Sequence, residues 1–512
     1  MSGFAVIYNQ SDHAELEKMF QVISHRGPYL SGKFASKQVL MAQNYLKADL
    51  CLLNDDFPEP DENQIPVFNP ESPDIRICYD GQLGNWSKLA EANGVADGPL
   101  REERLFLQLY KQYGQRMFDH LDDAIFAFVI SDGKNLFAAR DLLGIKTLFY
   151  GRKNGTLYLS SELKSLAGIT DDTHEFPPGH YMDNTGTLFR FAELPRTTPE
   201  VLHRDVNEIT ATIRDIIQRS FQNRIHFEVP TASLLSGGID SSVIAWIAGN
   251  AYRETFGKNE RLKTFALGVG ETEDIACARI MADHIGSDHH ELIVDLDQIL
   301  AALPEVVRQL ESFDPSLVRS SVSNYLISKY AREQGVETLL SGEGGDEIFC
   351  GYLYLKDYSS EEIFTQQMRC IGFLHSNASL RFDRMNLSHS IRVVAPLISG
   401  ELFNYVMGIP AEYKQKPEGD QKIEKWIFRK AYEKLLPEKI VWRLKQEFSQ
   451  GSGSADVLPE YFETAIKDKE LKEVQADYPM VRSKEELYYF KIFTEHFGKG
   501  QAVETVGQWV CL

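Results

Sequence analysis

Apolar residues in this chain follow two regimes. Up to about residue 190 they come in short runs: GFAVIY (3–8), QVLMAQ (38–43), IRICYDG (75–81), AIFAFVISD (124–132), KNLFAARD (134–141) and TLYLSSEL (156–163). Runs of that length bounded by turn residues read as strands. Only the stretches 13–24 and 101–113 carry helical spacing. The pattern predicts mostly β material with a few helices.

From Val206 the spacing changes. Val206, Ile209, Ile213, Ile216 and Ile217 form one helical stripe. Then follow strand–loop–helix over 230–253, a strand at 264–269, a helix over Asp274–Ile285 and a strand at 291–295. A helix around 320–334 leads to a last strand at 337–342. Alternation of this kind predicts a parallel sheet covered by helices on both faces, with ligands gathering at the carboxyl ends of its strands. The segment Leu194–Arg204, with two prolines and little periodicity, reads as a linker. Two domains are expected, 1–193 and 205–512.

Both glycine-rich stretches of the second regime fall at strand ends. The first is Ser236-Gly237-Gly238-Ile239-Asp240-Ser241-Ser242. Its glycines allow close approach of an anion to backbone N–H groups, and the following helix adds donors and a favourable dipole. The serines suit phosphate oxygens, and Asp240 suits the Mg2+ that accompanies a nucleoside triphosphate. This is not the GxxxxGK[ST] pattern. The second stretch, Ser341-Gly342-Glu343-Gly344-Gly345-Asp346-Glu347, sets three acids beside glycines after an apolar strand, a site suited to magnesium and an amine.

Composition narrows the class. The 512 residues carry 54 basic and 74 acidic side chains, a net charge of −20, which excludes a basic nucleic-acid-binding face. Six scattered cysteines without a CxxC pair read as free thiols of a reducing compartment. There is no leader-like pattern, and no apolar run reaches about 18 residues. A cytoplasmic protein is expected, with no membrane partner and a homodimer left open.

The first loop resembles the SGGxDS pyrophosphate loop of ATP pyrophosphatases. Leu340 to Tyr352 is similar to the LSGEGxDExFxGY signature of glutamine-dependent asparagine synthetases. Trp442-Arg443-Leu444-Lys445-Gln446-Glu447-Phe448-Ser449-Gln450-Gly451 resembles that family's WRxKxxFxxG segment. Upstream, His25-Arg26-Gly27-Pro28, Asp122 to Phe128, Ala139 to Ile145 and Ser161-Glu162-Leu163-Lys164 look like a class II glutamine amidotransferase domain. The resemblance covers nearly the whole chain in the family's domain order. It implies an N-terminal nucleophile-type α+β domain of stacked sheets, followed by an α/β ATP-pyrophosphatase domain.

It also implies a two-step reaction: a carboxylate attacks the α-phosphorus of ATP, and ammonia or another amine then displaces AMP to give an amide. On that reading Leu235, Ser236, Gly237, Gly238, Asp240, Ser241, Ser242, Leu267, Gly268 and Gly342 hold ATP, and Asp240 and Asp346 hold Mg2+. Lys445 meets the pyrophosphate charge, and Glu343 orients or deprotonates the amine. Arg319, Ser316 and Ser399 fall in the acid's binding segments.

The departures concern both substrates. The family's glutaminase nucleophile is a cysteine exposed by methionine removal; Ser2 stands there. The Asn-Gly-Glu substrate loop reads Asp80-Gly81-Gln82, the aspartate that holds the glutamine amino group falls at about Glu102, and no clear match for the substrate-carboxylate arginine lies near Asn44-Tyr45. Together these imply a retained fold without glutaminase activity. An introduced cysteine-to-serine change would account for position 2 alone. On the acid side, a Thr-Thr-x-Arg segment reads Ser316-Leu317-Val318-Arg319, and Val-Pro-Phe-Leu-Asp reads Ala395-Pro396-Leu397-Ile398-Ser399. Loss of that aspartate favours an acid without an α-ammonium. The alternatives are a true asparagine synthetase, a β-lactam-synthetase-like intramolecular closure, and a non-catalytic scaffold.

Overall fold

A computed structural model describes residues 2–50, 58–69, 72–200, 205–445 and 454–508. Residues 2–190 build two six-stranded antiparallel sheets. The Ser2–Tyr8 strand lies inside the first, between Val39–Tyr45 and Thr156–Ser160. Its alternation explains why all seven residues are buried. Phe4, Val6 and Tyr8 enter the core between the sheets, with Met41, Val129 and Leu159. Ala5 and Ile7 turn the other way, into the core holding Leu16, Met19 and Phe20 of the His13–Gln21 helix.

The helix Val206–Arg224 opens the second half, its N-terminus capped by the Asp205 carboxylate, which accepts from the Glu208 amide at 2.9 Å. Ile209, Ile213, Ile216 and Ile217 are buried as the stripe requires. A five-stranded parallel sheet follows, in the order 288–294, 263–269, 231–234, 338–340, 392–394. The last strand, Arg392–Val394, and the helix Leu296–Leu310 lie outside the expected pattern. The helix expected at about 320 begins at Pro315, with Asp314 as its cap.

One pairing in this sheet positions the site. Thr231–Leu234 and Thr338–Leu340 are adjacent and parallel, with Ser233 opposite Leu340. Both glycine-rich loops leave the carboxyl ends of these neighbouring strands side by side, although about a hundred residues separate them in sequence. Of the expected linker, 194–200 has no helix or strand; 201–204 lie outside the described residues.

Candidate active site

The first loop closes on itself before meeting any ligand. Ser236 N donates to Ser241 Oγ at 3.1 Å, the two hydroxyls lie 3.0 Å apart, and Ser241 Oγ donates to Gly238 O at 3.2 Å. Gly238 precedes the Ile239–Phe256 helix, whose first turn carries Asp240. The second loop packs directly against it. A Cβ on Gly342 would lie 2.5 Å from the Asp240 carbonyl carbon and the Ser241 nitrogen, and one on Gly345 would lie 2.3 Å from Asp240 Oδ1. Only glycine allows this approach.

Between the loops sits a charge chain. Lys425 Nζ lies 2.5 Å from Asp240 Oδ2 and 2.6 Å from Asp346 Oδ1, while Lys445 Nζ lies 2.8 Å from Asp346 Oδ2. Burial alone would raise the Asp346 carboxyl; the Lys425 and Lys445 ammoniums outweigh it and hold the group well below its ordinary value. Lys425 is fully buried and takes a left-handed φ of 55° just before the Trp426–Tyr432 helix. The sequence reading missed it. Arg429 ties the neighbourhood together: its Nε donates to Glu424 O at 2.9 Å and its Nη1 to Arg443 O at 3.0 Å. The residues flanking Lys425 and Lys445 are thereby held to each other.

One cavity gathers Ser236, Gly238, Asp240 and Ser241 from the first loop with Gly342, Glu343 and Asp346 from the second. Leu235, Leu267, Ser316 and Lys445 complete the expected set that lines it. Gly237, Ser242 and Gly268 do not line it; Gly237 takes φ 73° against Cys277. Gln446–Gly451 of the third motif lie outside the described residues. Glu343 accepts from Arg381 Nη2 at 2.6 Å. Burial, helped by the charges of Glu343 and Asp346, pushes the neighbouring Glu347 up to about 7, and Tyr352 OH donates to it at 2.6 Å.

Two expected residues are directed elsewhere. Arg319 forms a two-pronged pair with Glu485 of the Lys484–Phe497 helix, at 3.0 and 2.5 Å, and is not part of the cavity wall. The reason is helical phase: Ser316, Ser320 and Asn324 share the cavity-facing stripe and Arg319 projects beside it. Ser399 is spent as a helix cap, its Oγ accepting from Leu402 N at 3.3 Å, and does not line the cavity either.

The asparagine synthase family model matches residues 212–372 and 365–510, and the glutamine amidotransferase domain model matches residues 1–225. The chain belongs to the asparagine synthase family. It is 30% identical to a probable glutamine-hydrolysing asparagine synthetase of Dictyostelium discoideum, over 100% of this chain and 96% of that one. It is 31% identical to the glutamine-hydrolysing asparagine synthetase of Gallus gallus, over 84% of this chain and 83% of that one. This asparagine synthase family member is an ATP-dependent carbon–nitrogen ligase. Among its described residues no helix is long and apolar enough to cross a membrane.

In the amidotransferase half of this family member, Ser2 is engaged. Its Oγ donates to Tyr79 O at 2.5 Å and accepts from Gln43 Nε2 at 3.0 Å, and the residue is 2% exposed. Asp80 accepts from Ser2 N at 3.2 Å and from Arg26 at 2.8 Å, and pairs with Lys146 at 2.9 Å. Burial opposes ionisation there, but Lys146 and Arg26 bring the carboxyl down to about 2. Glu102 accepts from Tyr79 OH at 2.7 Å and Leu83 N at 3.2 Å, and Gln82 is buried on its strand. Ser2, Gly81 and Glu102 line a small cleft. Arg26, which donates to Ser2 O at 2.9 Å, also reaches Asp383 of the ligase half at 2.7 Å, and Arg392 of that half lines the cleft.

Proposed function

We propose that this protein adenylates a carboxylic acid and transfers the acyl group to ammonia or another amine taken from solution, with no glutaminase step. The observation that carries the reading is the Asp240–Lys425–Asp346–Lys445 chain at the ends of two adjacent parallel strands. A substrate carboxylate oxygen attacks the α-phosphorus, the bond to the bridging oxygen breaks, and pyrophosphate leaves carrying its charge toward Lys445. The amine nitrogen then attacks the acyl carbon, the bond to AMP breaks, and the ammonium proton passes toward Glu343. Backbone N–H groups from Gly238 to Ser241 and the hydroxyls of Ser236 and Ser241 support the phosphates, while Leu235 and Leu267 supply apolar surface for the adenosine.

One ammonium already touches both Asp240 and Asp346, so their carboxylates converge on a single cation position. Two carboxylates plus substrate phosphates are a usual donor set for Mg2+. When bound, the metal supplies charge neutralisation on the phosphates. The engaged Ser2 hydroxyl, the Asp80 pairings and the absence of the family's cysteine support dispensing with glutamine.

A second reading, aspartate as the acid with glutamine as the nitrogen donor, is favoured by the names of the full-length relatives. Nitrogen-donor assays separate the two. Ammonium should support AMP, pyrophosphate and amide formation, and glutamine should support none above background. Ser2→Cys should leave glutamate release at background, because Asp80, Gln82 and Glu102 are unchanged. Appreciable glutamate release from the unmodified protein would overturn the reading without a glutaminase step, and pyrophosphate release with any acid disposes of the scaffold.

A further inference from the structure

We infer that the acyl substrate is a hydroxylated carboxylic acid of the sugar-acid type, carrying no ammonium group, and not an amino acid; this rests on the ligase reading above. The first observation is the charge inventory of the cavity. Its four lining carboxylates each hold a cation already: Asp240 with Lys425, Asp346 with Lys425 and Lys445, Asp274 with Arg443 at 2.6 Å, and Glu343 with Arg381 at 2.6 Å. An α-ammonium entering here would have to break one of these pairs or remain buried without a counter-charge. Either is strongly unfavourable.

The second observation is the wall that faces the loops. Ser316, Ser320 and Asn324 recur at four-residue spacing along the Pro315–Glu333 helix and line the cavity as one stripe. Ser320 Oγ donates to the Ser316 and Leu317 carbonyls at 3.2 and 3.0 Å, which leaves its lone pairs for an incoming donor. Asn324 is oriented from behind by a buried relay. Its Nδ2 donates to Ser328 Oγ at 3.2 Å, Ser328 Oγ donates to Asn386 Oδ1 at 2.7 Å, and Asn386 Nδ2 donates to Phe382 O at 2.7 Å. The relay uses one of the two Asn324 N–H donors and fixes the amide plane, so its oxygen and its second N–H are set by the relay.

The wall therefore presents neutral polar groups, hydroxyl and amide, that can both accept and donate. An ammonium can donate to such groups, but they carry no charge to offset its desolvation. Hydroxyl groups satisfy them without that penalty, and a site built to pair with a substrate hydroxyl rejects analogues lacking one strongly. The third observation is Ser399: its side chain caps a helix, so this segment brings no carboxylate to the wall.

The test is pyrophosphate release by the full-length protein with ATP, magnesium and ammonium, across gluconate, galacturonate, succinate, aspartate and glutamate. At least one hydroxylated acid should exceed aspartate by tenfold or more in kcat/KM. Asn324→Leu should lower kcat/KM for that acid at least tenfold and narrow its advantage over succinate; Ser316→Ala provides the same readout without disturbing the relay. Aspartate or glutamate as the best substrate would overturn this inference and leave the ligase reading standing, and so would succinate matching the hydroxylated acids. Release of pyrophosphate with none of the five would overturn this inference, and the ligase reading falls with it only if no carboxylic acid supports pyrophosphate release.

Discussion

Lys445→Ala is expected to lower the rate of acid-dependent pyrophosphate release by about 100- to 1000-fold while leaving the thermal midpoint nearly unchanged. Removing one preorganised charge-stabilising group typically costs about 3–4 kcal/mol of transition-state stabilisation. Lys445 lines the cavity and pairs with Asp346, which keeps Lys425 when Lys445 is gone. Lys425→Met should behave differently. Its ammonium is fully buried and is shared by two carboxylates, so truncation strands both at once. Breaking a buried pair from one side costs about 3–5 kcal/mol, and the thermal midpoint should fall with the activity. Magnesium should recover part of the lost stability in Lys425→Met, because the two carboxylates would then take the metal as their counter-charge. Calorimetry with and without magnesium, beside pyrophosphate assays, reads both variants. Wild-type turnover by Lys445→Ala would remove that residue from the mechanism; an unchanged midpoint for Lys425→Met would refute the shared-charge account.

The difference between these lysines also marks how far the sequence could be read. Lys445 lies in a contiguous motif beside Trp442 and Arg443, and local spacing exposes it. Lys425 lies in IEKWIF, a string with no signal, and meets Asp240 across 185 residues. Only the packed backbone, with its left-handed turn at Lys425, brings it there. The two loops were legible because each follows an apolar strand, and parallel sheets place such ends on one side. Their adjacency follows from strand order, which one sequence does not encode locally. The strand Arg392–Val394 is three residues long and offers no period to detect. Arg319 was misplaced for a related reason. Its segment is helical from Pro315, so the stripe starting at Ser316 faces the cavity, while Glu485, far along the chain, captures the arginine.

The same non-local chemistry joins the two halves, and Arg26→Met tests it. The Arg26 guanidinium is fully buried and donates to Ser2 O at 2.9 Å, Asp80 at 2.8 Å, Glu162 at 2.8 Å and Asp383 at 2.7 Å. Methionine fills similar space but leaves three buried carboxylates short of a cation, a loss of at least about 3–5 kcal/mol. The urea midpoint should drop accordingly. The pH dependence supplies a second readout. For Asp80 and Glu162 burial disfavours the charge, yet Lys146 and Arg26 around Asp80, and Lys164 and Arg384 around Glu162, win and depress both carboxyls, Asp80 to about 2. In the unfolded chain such groups titrate near 4. Their contribution is therefore complete above about pH 4.5 and is lost as pH falls through the folded values, so the wild type should weaken steeply on acidification toward pH 2. Arg26→Met removes part of the depression, and its stability should vary less across that window. The variant that remains folded should still release pyrophosphate with ammonium, since Arg26 does not line the cavity between the two glycine-rich loops. An unchanged urea midpoint would show that the interdomain charges carry no stability, and a wild-type acid profile would show that Arg26 does not set the Asp80 titration.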